Sequence, residues 1–191
     1  MLTVEECKKV VKPRLSEARW KHSQNVSKEA VRLAKKYGAD PQKAEIAGLL
    51  HDVMKDTAPE EQLQMMQRFG IILTNIELAA PKLWHAMSGA AFLERELGVR
   101  DADILNAIRY HTTARDGMSL LERVVYIADF TSAERDYDGV EQMREAVDIS
   151  LETAMEEGLV FTIQDLSSLR SPIHPDTFRA YNEVIIQKKE K

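Results

Sequence analysis

The sequence has almost no cysteine. Cys7 stands alone among 191 residues, so no intramolecular disulfide can form and the chain suits a reducing compartment. There is no basic excess either: 26 Lys and Arg face 31 Asp and Glu, a net charge of −5. A surface that binds DNA or RNA normally shows the opposite balance, so nucleic acid is not an expected partner. A polyphosphate remains compatible, because a local pocket of Lys, Arg and metal can hold one inside an acidic protein. The eight glycines are scattered, and neither GxxxxGK[ST] nor GxGxxG occurs. Without those backbone cradles, any phosphate must be handled by side chains and metal. No stretch approaches the roughly 20 apolar residues of a membrane span. The start, MLTVEECKKV, places acids where a signal peptide carries its basic region. The expected location is the cytoplasm, with no membrane partner. Strand signals are nearly missing as well: there is no sustained alternation and no Asn-Gly or Asp-Gly hairpin, and only FGIILTN is ambiguous.

What is present is helical. With 44% hydrophobic and 30% charged residues, the chain fits one globular domain able to bury a core. Leu15, Ala18, His22, Val26, Ala30 and Leu33 follow steps of three and four, as do Ile104, Ile108 and His111. Thr3-x-x-Glu6, Thr57-x-x-Glu60, Thr74-x-x-Glu77 and Ser119-x-x-Glu122 fit the capping box. Asp40-Pro41 supplies a cap followed by proline at the first helical position, and Gly38, Gly70 and Gly98 follow the ends of periodic runs. These signals predict an all-α fold with helices at 3–12, 15–37, 41–53, 58–69, 74–79, 83–97, 101–112, 119–130, 139–157 and 175–189. The segment 158–174 is given no element, and the tail QKKEK reads as a solvated charge run.

Five histidines carry the chemical signal. Taken singly, each has a bland reading. His22 and His51 lie on apolar faces, where a lone histidine is ordinarily a hydrogen-bonded core residue. His85 precedes Ser88 and Gly89, which suit tight packing or ligand room equally. His111 ends a helix, where partial positive charge is favourable. His174 sits in a loop and reads as surface or cap. Taken together, His22, His51, His85 and His111 face inward from four separate helices. Asp52 adjoins one of them, and Asp129 ends the apolar run VVYIADF. Unpaired polar groups in a core are costly, and a metal would satisfy them jointly. Imidazoles and carboxylates suit Fe, Mn or Zn, and no thiolate is offered. Helical bundles build such centres from facing helices.

The order His22, His51-Asp52, Asp129 resembles the H…HD…D pattern of the HD-domain metal-dependent phosphohydrolases, through roughly residues 15–150. The segments RWKHSQNV, AGLLHDVMKD, LWHAMSGA, YHTTARDGMSLLERVVYIADF and ERDYDGV are similar to the YqeK-type branch, bacterial symmetrical diadenosine tetraphosphate (Ap4A) hydrolases. The resemblance implies a single compact HD-domain helical bundle over 1–191, with a helical extension from about 151. It also implies two metal ions, iron first with Mn, Zn or Mg as substitutes, held by His22, His51, Asp52, His85, His111 and Asp129. Asp52 would bridge them. It further implies cleavage of Ap4A to two ADP by a homodimer.

Within that frame Asp52 and Lys55 are the catalytic candidates. Lys55, expected one helical turn beyond His51, is assigned to phosphate charge, against a surface pair with Asp56. Thr112, Thr113 and Arg115 follow His111 where backbone is exposed, and suit phosphate oxygens or simply a helix-end turn. Arg135 is a second candidate for the nucleotide and otherwise belongs to a solvated charge cluster. Ser23 is a candidate for orienting phosphate or water. Three other readings use the same chain: an HD phosphohydrolase of mononucleotides or cyclic nucleotides, a non-catalytic nucleotide or metal sensor, and a plain helical scaffold.

Overall fold

The computed structural model describes residues 2–189. Among them are eleven α-helices, two short 3-10 turns and no strand. In chain order they are α1 (Val4–Val11), α2 (Glu17–Tyr37), α3 (Pro41–Leu50), α4 (Pro59–Arg68), α5 (Asn75–Ala79), α6 (Trp84–Arg95), α7 (Ala102–Arg109), α8 (Leu120–Thr131), α9 (Val140–Ile149), α10 (Leu151–Ser168) and α11 (Pro175–Lys189). Glu190 and Lys191 of the charged tail lie outside the described residues.

Most helix starts form as their side chains dictate. Thr3, Thr74 and Ser119 each complete a capping box with the glutamate three residues on. Asp40 accepts from the backbone of Gln42 and Lys43 ahead of α3, and Gly38 ends α2 with a left-handed φ of +85°. Thr57 does not cap. Pro59 at the first helical position moves the start of α4 to Ala58, which makes no side-chain cap. The box register is lost, and Thr57 uses its carbonyl to accept from Gln62 Nε2 at 2.7 Å.

Three other expectations need correction. The helix expected over 139–157 is two, broken at Ser150, whose extended backbone (φ −164°, ψ 160°) lets its hydroxyl cap α10. α10 then runs on to Ser168, through most of the segment left without an element. Gly158 does not stop it: a Cβ there would lie 3.3 Å from Tyr126 Cε1, so the glycine permits close packing of α10 on α8. FGIILTN, ambiguous in sequence rather than misread, forms no strand. Ile71 and Leu73 pack against the small cluster of Met66, Trp84 and Met87, while Ile72 is 91% exposed.

The third correction concerns the site. α3 ends at Leu50, and residues 51–56 run through tight turns bonded three residues back: Val53 N to Leu50 O at 3.0 Å and Lys55 N to Asp52 O at 2.8 Å. Lys55 is therefore not one α-turn beyond His51. α7 likewise ends at Arg109, which leaves His111 beyond it.

α2 is the axis of the assembly, packed on α3 and α8. α7 joins α3, α6 and α8, and α10 carries α9 and α11. Leu33, Leu50, Ile104, Ile108, Tyr126 and Ile127 are fully buried in the shared core. Each such side chain contributes roughly 1.5–3 kcal/mol on burial, which fixes the helices whose ends carry the polar residues.

Candidate metal centre

α2 and α3 touch at backbone distance. A Cβ on Gly48 would lie 2.6 Å from Ser27 Cα and 3.0 Å from Ser27 N. The Ser27 hydroxyl seals the contact by donating to Glu45 O at 2.9 Å. This close approach brings His22 of α2 to His51 at the end of α3, with Nε2 atoms 3.3 Å apart.

Three histidines share one local device. His51 Nδ1 donates to Gly48 O at 2.7 Å, His85 Nδ1 to Lys82 O at 2.8 Å and His111 Nδ1 to Ile108 O at 2.7 Å. Each reaches back three residues to a carbonyl that helix or turn geometry leaves free. A carbonyl only accepts, so Nδ1 carries the proton, and in the neutral ring Nε2 presents a lone pair. Burial pushes His51 and His85 down to about 4, which keeps both neutral near pH 7. His85 Nε2 faces His111 Nε2 at 3.1 Å. His22 is oriented differently, by the Glu134 carboxylate at Nδ1. Burial alone would lower its pKa, but Asp129 and Glu134 raise it.

Asp52 lies between the two histidine pairs and is 2% exposed. Its Oδ1 is 3.2 Å from His85 Nε2 and 3.6 Å from His111 Nε2. Its Oδ2 is 3.6 Å from His51 Nε2 and 3.8 Å from His22 Nε2. Burial would raise this carboxyl, yet the surrounding histidines, His51 first, hold it well below the usual carboxylate range. Asp129, near the end of α8, places Oδ1 3.0 Å from His22 Nε2 and 4.0 Å from His51 Nε2. It is only partly buried and is not unpaired, since Arg135 binds both its carboxylate and its carbonyl oxygen.

Facing lone pairs without a shared proton repel, and a cation between them removes the conflict. The spacings fit one: with bonds of about 2.0–2.1 Å, adjacent nitrogen ligands stand roughly 2.9–3.4 Å apart, against the 3.1 and 3.3 Å seen here. Two trios each place their ligand atoms within 4.8 Å of one another, His22–His51–Asp129 and His51–Asp52–His111. The donor set of imidazole and carboxylate fits Fe, Mn or Zn.

The remaining candidates divide. Lys55 Nζ lies 3.3 Å from His85 Nε2, and burial lowers its pKa. It does not pair with Asp56, whose carboxylate accepts from Ser16 N at 2.7 Å and ties the 51–56 turns to the start of α2. Arg135 reaches the set through Asp129. The Ser23 and Thr112 hydroxyls are buried without a partner. Thr113 Oγ1 donates to Ala114 O at 2.9 Å. Arg115 forms a two-point pair with Glu122 at 2.7 and 2.6 Å and lies over the Tyr110 ring. Neither the Thr113 nor the Arg115 side chain hydrogen-bonds or ion-pairs with the six among the described residues. His174 is buried rather than on the surface, with Nε2 3.5 Å from Glu77 Oε1.

Two residues escaped the sequence reading. Arg19 Nη1 lies 3.3 Å from Asp52 Oδ2. Its position three residues before His22 on α2 puts both on one face, a signal that could have found it. Glu134 also bonds Asn25 Nδ2 at 2.7 Å and Ser132 Oγ at 2.8 Å. It follows the end of α8, where no periodicity points inward. Arg19, His22, Glu134, Arg135 and Tyr137 line a cleft of about 440 Å³ that opens beside this set.

The HD domain family model matches residues 19–134. A protein of Bacillus subtilis (strain 168) named "Bis(5'-nucleosyl)-tetraphosphatase, symmetrical" is 40% identical over 181 residues, 95% of this chain and 97% of that protein. A Halalkalibacterium halodurans protein of the same name is 39% identical over 94% of this chain and 96% of its own length. The crystal structure of a protein from Clostridium acetobutylicum, described as a predicted HD superfamily hydrolase involved in NAD metabolism, superposes with a TM-score of 0.93 at 35% identity. It covers 98% of this chain and 99% of that one.

Proposed function

The chain belongs to the HD-domain family, and from that premise we propose that it is a metal-dependent hydrolase cleaving Ap4A symmetrically to two ADP. The observation that carries this reading is Asp52, whose two oxygens each face a different histidine pair. A carboxylate so placed suits a bridge between two cations. His22, His51 and Asp129 would hold one ion; His85 and His111 would hold the other. Iron is the first expectation, with Mn, Zn or Mg as substitutes. The substrate class comes from the relatives named symmetrical tetraphosphatases that match nearly the whole chain.

Bound cations would lower the pKa of water to generate the nucleophile and would neutralise phosphoryl charge. The protein's own side chains do the rest. Arg19 and Arg135 line the cleft beside His22 and meet the polyphosphate as it enters. Lys55, close to His85, places positive charge at the closed end. Ser23 and Thr112 offer buried hydroxyls without partners, while Thr113 and Arg115 shape the loop after His111. ADP leaves as a phosphate anion and needs little protonation, so the residues chiefly position and neutralise. The reading takes the protein as a cytoplasmic homodimer acting on a free nucleotide.

The test offers purified protein Ap4A, GDP, dNTPs and cyclic dinucleotides, with iron kept reduced or oxidised in parallel, and pairs product identification with elemental analysis. ADP as the product from Ap4A, with two metals per chain, is expected. Turnover of a mononucleotide or cyclic nucleotide without Ap4A cleavage would move the assignment to another HD phosphohydrolase. Metal near zero in anaerobically prepared protein would favour a non-catalytic sensor.

A further inference from the structure

The loop after His111 contains a backbone conformation that its own residues do not favour. Ala114 has φ +55° and is fully buried. That left-handed region disfavours any residue with a Cβ and accepts glycine readily. The peptide joining Thr113 to Ala114 is held at both ends. Its N–H donates to Tyr110 O at 2.8 Å, a local bond. Its carbonyl accepts from Thr177 Oγ1 at 2.8 Å, across 64 positions of sequence. Both Thr113 and Thr177 are buried, at 2% and 1% exposure.

Thr177 belongs to α11, beyond the residues the family model matches. The same helix reaches the loop again, where Glu183 Oε2 accepts from Gly117 N at 2.9 Å. Ala180, between them, is fully buried. At the head of α11, His174 Nδ1 accepts from Asp176 N at 3.2 Å. α11 thus lies as a strap across the loop that holds Thr112, Thr113 and Arg115.

We propose that Thr177 is a positioning residue: its hydroxyl clamps the Thr113–Ala114 peptide, holds Ala114 left-handed, and so places the loop for the substrate's phosphates. The clamp acts on the peptide plane that sets φ of Ala114, which distinguishes it from general docking of a C-terminal helix. The catalytic consequence rests on the Ap4A reading; the conformational one does not.

The experiment compares Thr177→Val, Thr177→Ser, Ala114→Gly and the double variant Thr177→Val/Ala114→Gly. Amide exchange over 112–117, melting temperature, metal content, and kcat and KM for Ap4A are read on each. Thr177→Val keeps the shape and removes the hydroxyl. It should raise exchange in the loop and lower kcat/KM by roughly 10- to 100-fold, the scale of an ångström-level displacement. Thr177→Ser should retain both. In the double variant glycine accepts the left-handed turn without the clamp, so loop protection and kcat/KM should largely return while the melting temperature does not. Unchanged loop exchange in Thr177→Val would overturn the clamp. A loss that Ala114→Gly leaves untouched would reduce Thr177 to docking α11. If wild-type protein does not cleave Ap4A, that reading falls alone, and the exchange data still decide the clamp.

Discussion

Replacing Gly48 by alanine adds one methyl group at the tightest contact between α2 and α3. That carbon would sit 2.6 Å from Ser27 Cα, 3.0 Å from Ser27 N and 3.3 Å from Val26 C. Non-bonded carbons prefer about 3.5–4.0 Å, so the helices must part by about 1 Å. All three neighbours are backbone, and no rotamer change relieves them. Overpacking of this kind costs about 1–3 kcal/mol, and the better helix propensity of alanine returns about 1 kcal/mol. A net loss of up to about 2 kcal/mol lowers the melting temperature by up to roughly 8 °C for a chain of this length. The effect on the site is larger. His51 Nδ1 is bonded to the carbonyl of Gly48 itself, so His51 moves with the displaced helix and its 3.3 Å spacing to His22 opens. Metal content should fall, and kcat/KM for Ap4A should drop on the order of 10²-fold. Gly158→Ala is the control. Its nearest neighbour is the side chain of Tyr126 at 3.3 Å, so it should lose stability without losing metal. A Gly48→Ala protein that melts lower but keeps full metal and turnover would refute the claim that this contact positions His51.

Other expectations follow from individual contacts. Glu134→Gln removes the charge behind His22 Nδ1, and metal affinity measured by chelator competition should weaken by about 10- to 100-fold with helical content unchanged. Arg19→Ala should raise KM for Ap4A while elemental analysis finds the metals in place; a parallel loss of metal would instead make Arg19 a support for Asp52. In metal-free protein His51 and His85, pushed down to about 4, bind fewer protons folded than unfolded. Stability should therefore be full above the ordinary histidine value near 6.5 and decline as pH falls toward 4. His22, shifted upward, acts above that window. Urea melts in chelator across pH 4–7 check the slope, and a flat profile would mean these rings are not buried as neutral imidazoles.

The all-α class and most helix ends were legible because their determinants are local: a hydroxyl with a glutamate three residues on, or a glycine at a left-handed stop. Failures arose where a neighbour changed the local rule. Pro59 shifted the start of α4 past Thr57, and Gly158, read as the edge of an element, is a contact glycine within α10. At the site, the convergence expected of His22, His51, His85, His111 and the two aspartates rested on inward positions and motif order, and the six do meet. The orientation of Lys55 could not be read from helical spacing, because residues 51–56 leave the α-helix. Glu134 and Arg19 were missed for different reasons. Glu134 acts from a turn, where sequence gives no facing direction; Arg19 lies three residues before His22 on α2, but nothing in the sequence shows that its guanidinium reaches Asp52.

The two ends of the centre differ in a way that follows from where each histidine is anchored. His51, His85 and His111 all hang from carbonyls of their own chain segment, so their orientation depends on no other element. His22 depends on Glu134, and Asp129 on Arg135, both from the turn after α8. That turn also lines the cleft beside His22. The locally anchored end is closed, with His85 and His111 each 2% exposed and Lys55 against them. The end built across elements is the open one, where Asp129 and Arg135 are both partly exposed. On the proposed reading, a substrate arriving through the cleft would meet first the half of the site whose geometry it can perturb. The carboxylates of Asp129 and Glu134 each hold a partner there, the Arg135 guanidinium and the Nδ1 side of His22. On the proposed reading an incoming polyphosphate would compete for Arg135, and releasing Asp129 from that guanidinium would strengthen it as a ligand. Metal retention and nucleotide binding should be thermodynamically coupled at this end, each favouring the other.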